Sequence, residues 1–235
     1  MKSFIIANWK CNPLTLDEAK NIFYSIEKQI QHGGLSKKQT VELIICPPFQ
    51  YLTSLKADSP VIRLGAQNCF FEEKGAFTGE ISALMLKNIG CEYVIIGHSE
   101  RRKYQNETDE LVNEKIKSAL KAGLKPIVCI DQTQQIKKDL AGLSFEEIKK
   151  VIVAYEPLFA IGTGKACGIP EAKEMNSGIK SILGNEVPIL YGGSVNSENA
   201  GGYVKEAGFN GLLVGGASLK PEEFFQIIKN VDLIP

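Results

Sequence analysis

The sequence predicts an α/β fold, a single (β/α)8 barrel of eight parallel strands over residues 1–235, with a shortened helical layer between strands five and six. Eight short apolar runs recur along the chain, mostly continuous rather than alternating, as in parallel strands buried on both faces. Segments of helical period lie between them, and no Pro/Ser-rich linker, low-complexity tract or internal repeat divides the 235 residues. With 44% hydrophobic residues the chain can bury one large core, although length alone also fits two small domains. An open doubly wound sheet is the alternative, but it more often has five to seven strands.

The first strand is Phe4 to Ala7. A helix follows, with Leu16, Ala19, Ile22, Phe23, Ile26 and Ile30 on one face, opened by Thr15 with Glu18 three residues on as a capping box. Strands two and three are Val41 to Cys46 and Val61 to Ala66, and Gly90 stops the next helix before strand four, Tyr93 to Gly97. Leu111, Val112, Ile116, Ala119 and Leu120 mark a helix closed by Gly123. Strand five is Pro126 to Ile130 and strand six Val151 to Tyr155. Between them only Phe145 to Lys150 suggest a helical turn or two, so a shortened or broken helix is expected. Gly184 precedes strand seven, Val187 to Tyr191, which tolerates Pro188 near its start, and Gly208 precedes strand eight, Gly211 to Val214.

Composition excludes several functions. Lys plus Arg equals Asp plus Glu at 27 each, and like-charge doublets such as Lys37-Lys38 and Glu222-Glu223 are scattered, leaving no basic track for nucleic acid or a membrane surface. The apolar run before Asn8 is too short for a signal peptide, and no stretch approaches membrane-spanning length. Cys11, Cys46, Cys69, Cys91, Cys129 and Cys167 form no Cys-x-x-Cys pair and read as reduced thiols of a cytoplasmic protein.

In a barrel of this kind the chemistry sits at the C-terminal strand ends. Gly192-Gly193-Ser194 after strand seven and Gly215-Gly216 after strand eight allow close approach of backbone amides, and a helix following each would favour an anion. Either pair alone could be a tight turn; together they point to phosphate. Nucleotide fingerprints fail: Phe159 stands where a P-loop ending at Gly164-Lys165 needs Gly, and Gly162, Gly164 and Gly168 have the wrong spacing for a dinucleotide loop. His98 follows a buried strand and would open a helix, whose dipole favours a neutral ring able to donate to a carbonyl; a satisfied buried histidine is the plainer reading. Glu156 closes an apolar strand, where partial burial would raise its pKa toward that of a useful base; alternatively it is a solvated strand-end carboxylate. Pro157, Leu158, Phe159, Ala160, Ile161, Gly162, Thr163, Gly164, Lys165 and Ala166 have the composition of a mobile lid, or of an ordinary Gly-rich loop. Asn8 and Lys10 point to one side by period two. Lys10 reads as the charge that attracts a phosphorylated anion, against a Schiff-base former or a surface ion pair.

Asn8-Trp9-Lys10, Gly97-His98-Ser99-Glu100-Arg101-Arg102, Ala154-Tyr155-Glu156-Pro157, Ala160-Ile161-Gly162-Thr163-Gly164-Lys165, Tyr191-Gly192-Gly193-Ser194-Val195 and Leu213-Val214-Gly215-Gly216-Ala217-Ser218 resemble, in order and across the chain, the triosephosphate isomerases. The resemblance implies a TIM barrel that interconverts dihydroxyacetone phosphate and D-glyceraldehyde 3-phosphate through an enediolate, in glycolysis and gluconeogenesis, without metal or organic cofactor. It gives Glu156 the proton shuttle, His98 the polarisation of the carbonyl, and Lys10 with Asn8 the stabilisation of negative charge; the glutamate base beside a neutral histidine is carried over from the family. Amides of Gly162, Ser194, Gly215 and Gly216 would bind phosphate, while Ile161 and Leu213 would cover Glu156 and exclude water. The resemblance also implies a homodimer in which the loop Gly75 to Gly79, with Phe77 and Thr78, inserts beside the partner subunit's Asn8, supported by Glu80 and Arg101.

The chain departs from the family pattern where Trp is common at the lid hinge and Gly-Glu follows strand five. Here Phe159 and Asp131-Gln132 stand instead, and Phe159 has no N–H to donate, so the lid is expected to close without an indole–carboxylate bond. Two rival functions remain: another phosphate-binding barrel enzyme, such as an aldolase or a biosynthetic isomerase, and a non-catalytic barrel acting as a binding protein.

Overall fold

Alternation along each strand divides the apolar residues of the chain between two cores. The computed structural model describes residues 3–33, 41–160 and 165–232. Strands β1 (Ser3–Asn8), β2 (Val41–Cys46), β3 (Ile62–Ala66), β4 (Tyr93–Ile96), β5 (Lys125–Ile130), β6 (Ile152–Tyr155), β7 (Ile189–Tyr191) and β8 (Gly211–Val214) close into a barrel in sequence order. Every neighbouring pair is parallel. Ile6, Ile44, Tyr93, Ile95, Ile127, Cys129, Ile152, Ala154, Leu190 and Leu213 form the inner core. Their neighbours Ile5, Leu43, Val94, Val128, Val153, Ile189 and Leu212 belong to a second cluster that packs against the helices. Burial on both faces is why the strands read as unbroken apolar runs.

The period-two alternation also fixes the mouth. Asn8 continues the inner series of Ile6, Glu156 that of Ile152 and Ala154, Gly192 that of Leu190, and Gly215 that of Leu213. The polar strand ends therefore converge over the inner core.

Helix Leu16–His32 starts at the Thr15–Glu18 capping box, and helix Asp109–Lys121 ends just before Gly123, which has a positive φ of 76°. Between β5 and β6 stand two short helices, Thr133–Asp139 and Phe145–Ile148, where the sequence suggested only the second. The first lacks a strong apolar period but buries Ile136, with Leu140 just beyond it, each contributing about 1.5–3 kcal/mol by leaving water. Asn113 ties its end to helix Asp109–Lys121, donating to Asp139 O at 2.8 Å and Ala141 O at 3.0 Å. Among the described residues, no helix is long and apolar enough to cross a membrane.

Candidate active site

One cavity of about 330 Å³ opens at the C-terminal end of the barrel, lined by Asn8, Lys10, His98, Glu156, Gly192, Gly193, Ser194, Val195, Asn196, Leu213, Gly215, Gly216 and Ala217. It brings together every candidate side chain of β1, β4 and β6 and both glycine pairs. Ile161, Gly162, Thr163 and Gly164 of the expected lid lie outside the described residues.

Glu156 is 1% exposed. Its Oε1 lies 2.9 Å from His98 Nε2, and its Oε2 accepts the Ser99 amide at 2.9 Å. Burial alone would raise the carboxyl pKa, as the sequence suggests; the facing His98 ring and the Ser99 amide outweigh it, and the pKa lies below the ordinary carboxylate value. The expected upward shift is thus corrected by partners that strand-end position alone did not reveal. For His98 the forces run the other way: burial lowers its pKa, but the carboxylates of Glu156 and Glu100 overcome both burial and Lys10 and lift it. The ring nevertheless caps helix Ser99–Tyr104, its Nδ1 accepting the Glu100 amide at 3.2 Å. A proton on Nδ1 would expel that amide, so the hydrogen-bond pattern assigns the neutral Nε2–H tautomer.

Lys10 adopts a left-handed backbone (φ 54°), uncommon for a side-chain-bearing residue and held here by its neighbours. Its amide donates to Asn8 Oδ1 at 3.0 Å, and its carbonyl accepts Gln67 Nε2 at 2.9 Å, a donor that also reaches Cys46 O at 2.9 Å. The ammonium meets Glu100 Oε1 at 2.5 Å. Gln67 and Glu100 were not singled out in the sequence; Glu100 stands inside a quoted motif, whereas Gln67 carries no local signal.

On the opposite side much of the cavity wall is glycine backbone. A Cβ on Gly193 would stand 2.2 Å from Tyr191 Oη, so that position requires glycine by close approach, and one on Gly192 would press against Glu156 Cγ at 3.1 Å. Gly215 leads directly into a 3-10 turn, Gly216–Leu219, locked by Ser218 Oγ donating to Gly215 O at 2.6 Å. After β7 the first helix, Ala200–Lys205, begins well beyond Ser194. The expectation that a helix follows each glycine pair is therefore corrected for the first pair, which opens a loop, while the second leads straight into a short 3-10 helix. Ser194 Oγ donates to Ala160 O at 2.5 Å, tying this side to the described start of the lid, where Leu158–Ala160 form a 3-10 turn. Leu213, 3% exposed, lines the cavity with Glu156.

Phe159 is 61% exposed, and Gln132 donates from Nε2 to Asp131 Oδ2 at 3.3 Å. Phe77, Thr78 and Glu80 are exposed beyond β3, while Arg101 donates from Nε to Glu107 Oε1 at 2.6 Å. Among the described residues no group of three or more His, Cys, Asp and Glu side chains is arranged to hold a metal ion.

The family model for triosephosphate isomerase matches residues 3–231. The chain belongs to the triosephosphate isomerase family. Relatives named triosephosphate isomerase include one from Dehalococcoides mccartyi, 45% identical, with 100% of this chain and 98% of the relative covered. Another, from Alkaliphilus oremlandii, is 44% identical, with 97% of this chain and 98% of the relative covered. A third, from Dictyoglomus thermophilum, is 41% identical, with 97% and 99% covered. Within the triosephosphate isomerase family the shared barrel and the converging strand ends go together, because the mouth is assembled from the ends of separate strands.

Proposed function

We propose that the chain interconverts dihydroxyacetone phosphate and D-glyceraldehyde 3-phosphate by proton transfer through an enediolate, acting as one domain over residues 1–235. The observation that carries this reading is the buried Glu156–His98 pair at 2.9 Å, facing a cavity that also holds Lys10 and the backbone of Gly215 and Gly216.

Glu156 is the base. Held ionised by His98 and Ser99, it is present as carboxylate but is a poor proton acceptor in that arrangement. A substrate carbonyl that takes the His98 Nε2–H deprives Glu156 of its strongest stabiliser, leaving burial to raise its basicity. Glu156 then removes the proton from the carbon beside the carbonyl, the C–H electrons form the enediolate double bond, and charge moves to the carbonyl oxygen. His98 stabilises that oxygen and shifts a proton between the two oxygens, while Lys10, oriented with Asn8, adds positive charge. The protonated Glu156 returns its proton to the adjacent carbon. Amides near Ser194, Gly215 and Gly216, with Gly162, bind the phosphate, and Leu213 with Ile161 keeps water from an enediolate that would otherwise eliminate phosphate.

A coupled assay with purified protein and either triose phosphate tests the reading; absence of isomerisation in both directions would sink it. A homodimer is the second proposal, supported by the exposed apolar side chains Leu14, Phe77 and Met85, at 87%, 42% and 52%. Sizing in solution checks it. Cysteines without Cys-x-x-Cys spacing support a cytoplasmic location.

A further inference from the structure

Arg102 is absent from the lining of the cavity that holds Lys10 and His98, yet its guanidinium is bonded to the turn that carries His98. Its Nε donates to Gly97 O at 2.8 Å. Its Nη1 donates to Asp109 Oδ1 at 2.7 Å, and its Nη2 to Asp139 Oδ2 at 2.6 Å and Cys129 O at 3.3 Å. Gly97 has φ 70°, and a Cβ there would stand 2.9 Å from Arg102 Nη2, so the glycine leaves room for the guanidinium to lie against the turn. His98 follows directly and caps the helix that bears Arg102. Asp139 comes from the short segment between β5 and β6, is fully buried, and has an Oδ1 with no hydrogen-bond partner among the described residues. A buried carboxylate with one oxygen unsatisfied is a poor device for stability. Its other carboxylate oxygen, Oδ2, accepts from the guanidinium that holds the peptide before His98.

We infer that Arg102 and Asp139 form a positioning pair for His98: Asp139 and Asp109 orient the guanidinium, which fixes the Gly97 carbonyl and hence the direction of the imidazole facing Glu156. This rests on the reading of His98 as the group that meets the substrate carbonyl. The planar fork is what the task needs, because one side chain must serve two carboxylates and two carbonyls at once. Misplacing a reacting group by about 1 Å costs on the order of a hundredfold in rate, so loss of the clamp shows in turnover before it shows in binding.

The test replaces Asp139 with Leu, which removes the acceptor, and with Asn, whose carbonyl can still accept from Arg102. In D139L kcat falls about tenfold to a hundredfold while KM stays within about twofold, the His98 imidazole 15N resonances move, and D139N restores most of both. Wild-type kcat with unmoved His98 resonances in D139L overturns the proposal, as does a loss of activity that only follows the folded fraction. If D139L does not fold, Arg102→Lys gives the same reading, since an ammonium has three donors and no fork. Unmoved His98 resonances in that variant likewise overturn it. Lack of isomerase activity in the wild type would instead sink the proposed function, and the His98 resonances would still decide whether the pair positions the ring.

Discussion

The two sides of the barrel mouth are built from different material. On the β4, β5 and β6 side, the groups are ionisable side chains that set one another: Glu156 against His98, Glu100 between His98 and Lys10, Arg102 against Asp139. On the β7 and β8 side, much of the wall is backbone, and the sequence provides it by omitting side chains at Gly192, Gly193, Gly215 and Gly216. A group that gives and takes a proton needs a pKa that neighbours can move, whereas a fixed anion needs only amides held in place. Substitutions on the first side should therefore act on kcat and those on the second on KM.

Glu156→Gln should break the first side most severely. Amide and acid have nearly the same shape, so binding of a substrate analogue stays within about threefold while kcat falls by about 10³-fold or more, measured by steady-state assay and titration calorimetry. Turnover near wild type would end the assignment of the base. His98→Gln leaves Glu156 without its ring partner and removes the imidazole donor; kcat should fall by about 10²–10³-fold with a smaller change in KM. An equal loss through KM alone would mean that His98 merely binds.

On the second side, two glycines separate affinity from folding. A Cβ on Gly216 meets nothing within 4 Å, so Gly216→Ala should keep its thermal midpoint and raise KM about tenfold by crowding the anion, with kcat changed less. Gly193→Ala instead drives a methyl into Tyr191 Oη, the acceptor of the Cys167 amide at 3.0 Å, and should cost about 1–3 kcal/mol of stability by overpacking. Calorimetric midpoints that fall equally in both variants would erase the distinction.

Much of this mouth was legible in the sequence because strand parity and glycine are local signals. Asn8, Glu156, Gly192 and Gly215 follow the inner series of their strands, and the continuous apolar runs gave the eight strands within a residue or so at most ends. The direction of the Glu156 shift was not legible, since it depends on a histidine 58 positions earlier in the chain lying 2.9 Å away. Gln67 was hidden for the same reason: its partners Lys10 and Cys46 belong to two other strand ends. Helix Thr133–Asp139 was missed because its sequence, Thr-Gln-Gln-Ile-Lys-Lys-Asp, offers little apolar period, and what holds it is tertiary: Ile136, Asn113 and the Asp139–Arg102 bond.

That bond yields the smallest expected effect and the sharpest test of how the ionisable side is maintained. Burial pushes the Asp139 carboxyl from 3.8 to about 7, outweighing the guanidinium of Arg102, while Asp109 and Asp131 push it the same way as burial. Lys138 reaches Asp109 at 3.4 Å and softens that contribution. Because the folded pKa lies above the ordinary value, the folded protein binds this proton more tightly than the unfolded chain. The stability so gained is fully present below about pH 4 and is lost as pH rises through about 7. Asp139→Asn cannot titrate, so wild type minus variant isolates the effect: the difference in thermal midpoint should move against the wild type between pH 5.5 and pH 8, by about 2–4 °C for each kcal/mol lost. A difference that stays flat across that range would mean that Arg102 holds Asp139 ionised throughout, and the clamp beside His98 would then keep the same charge at every pH at which the enzyme is folded.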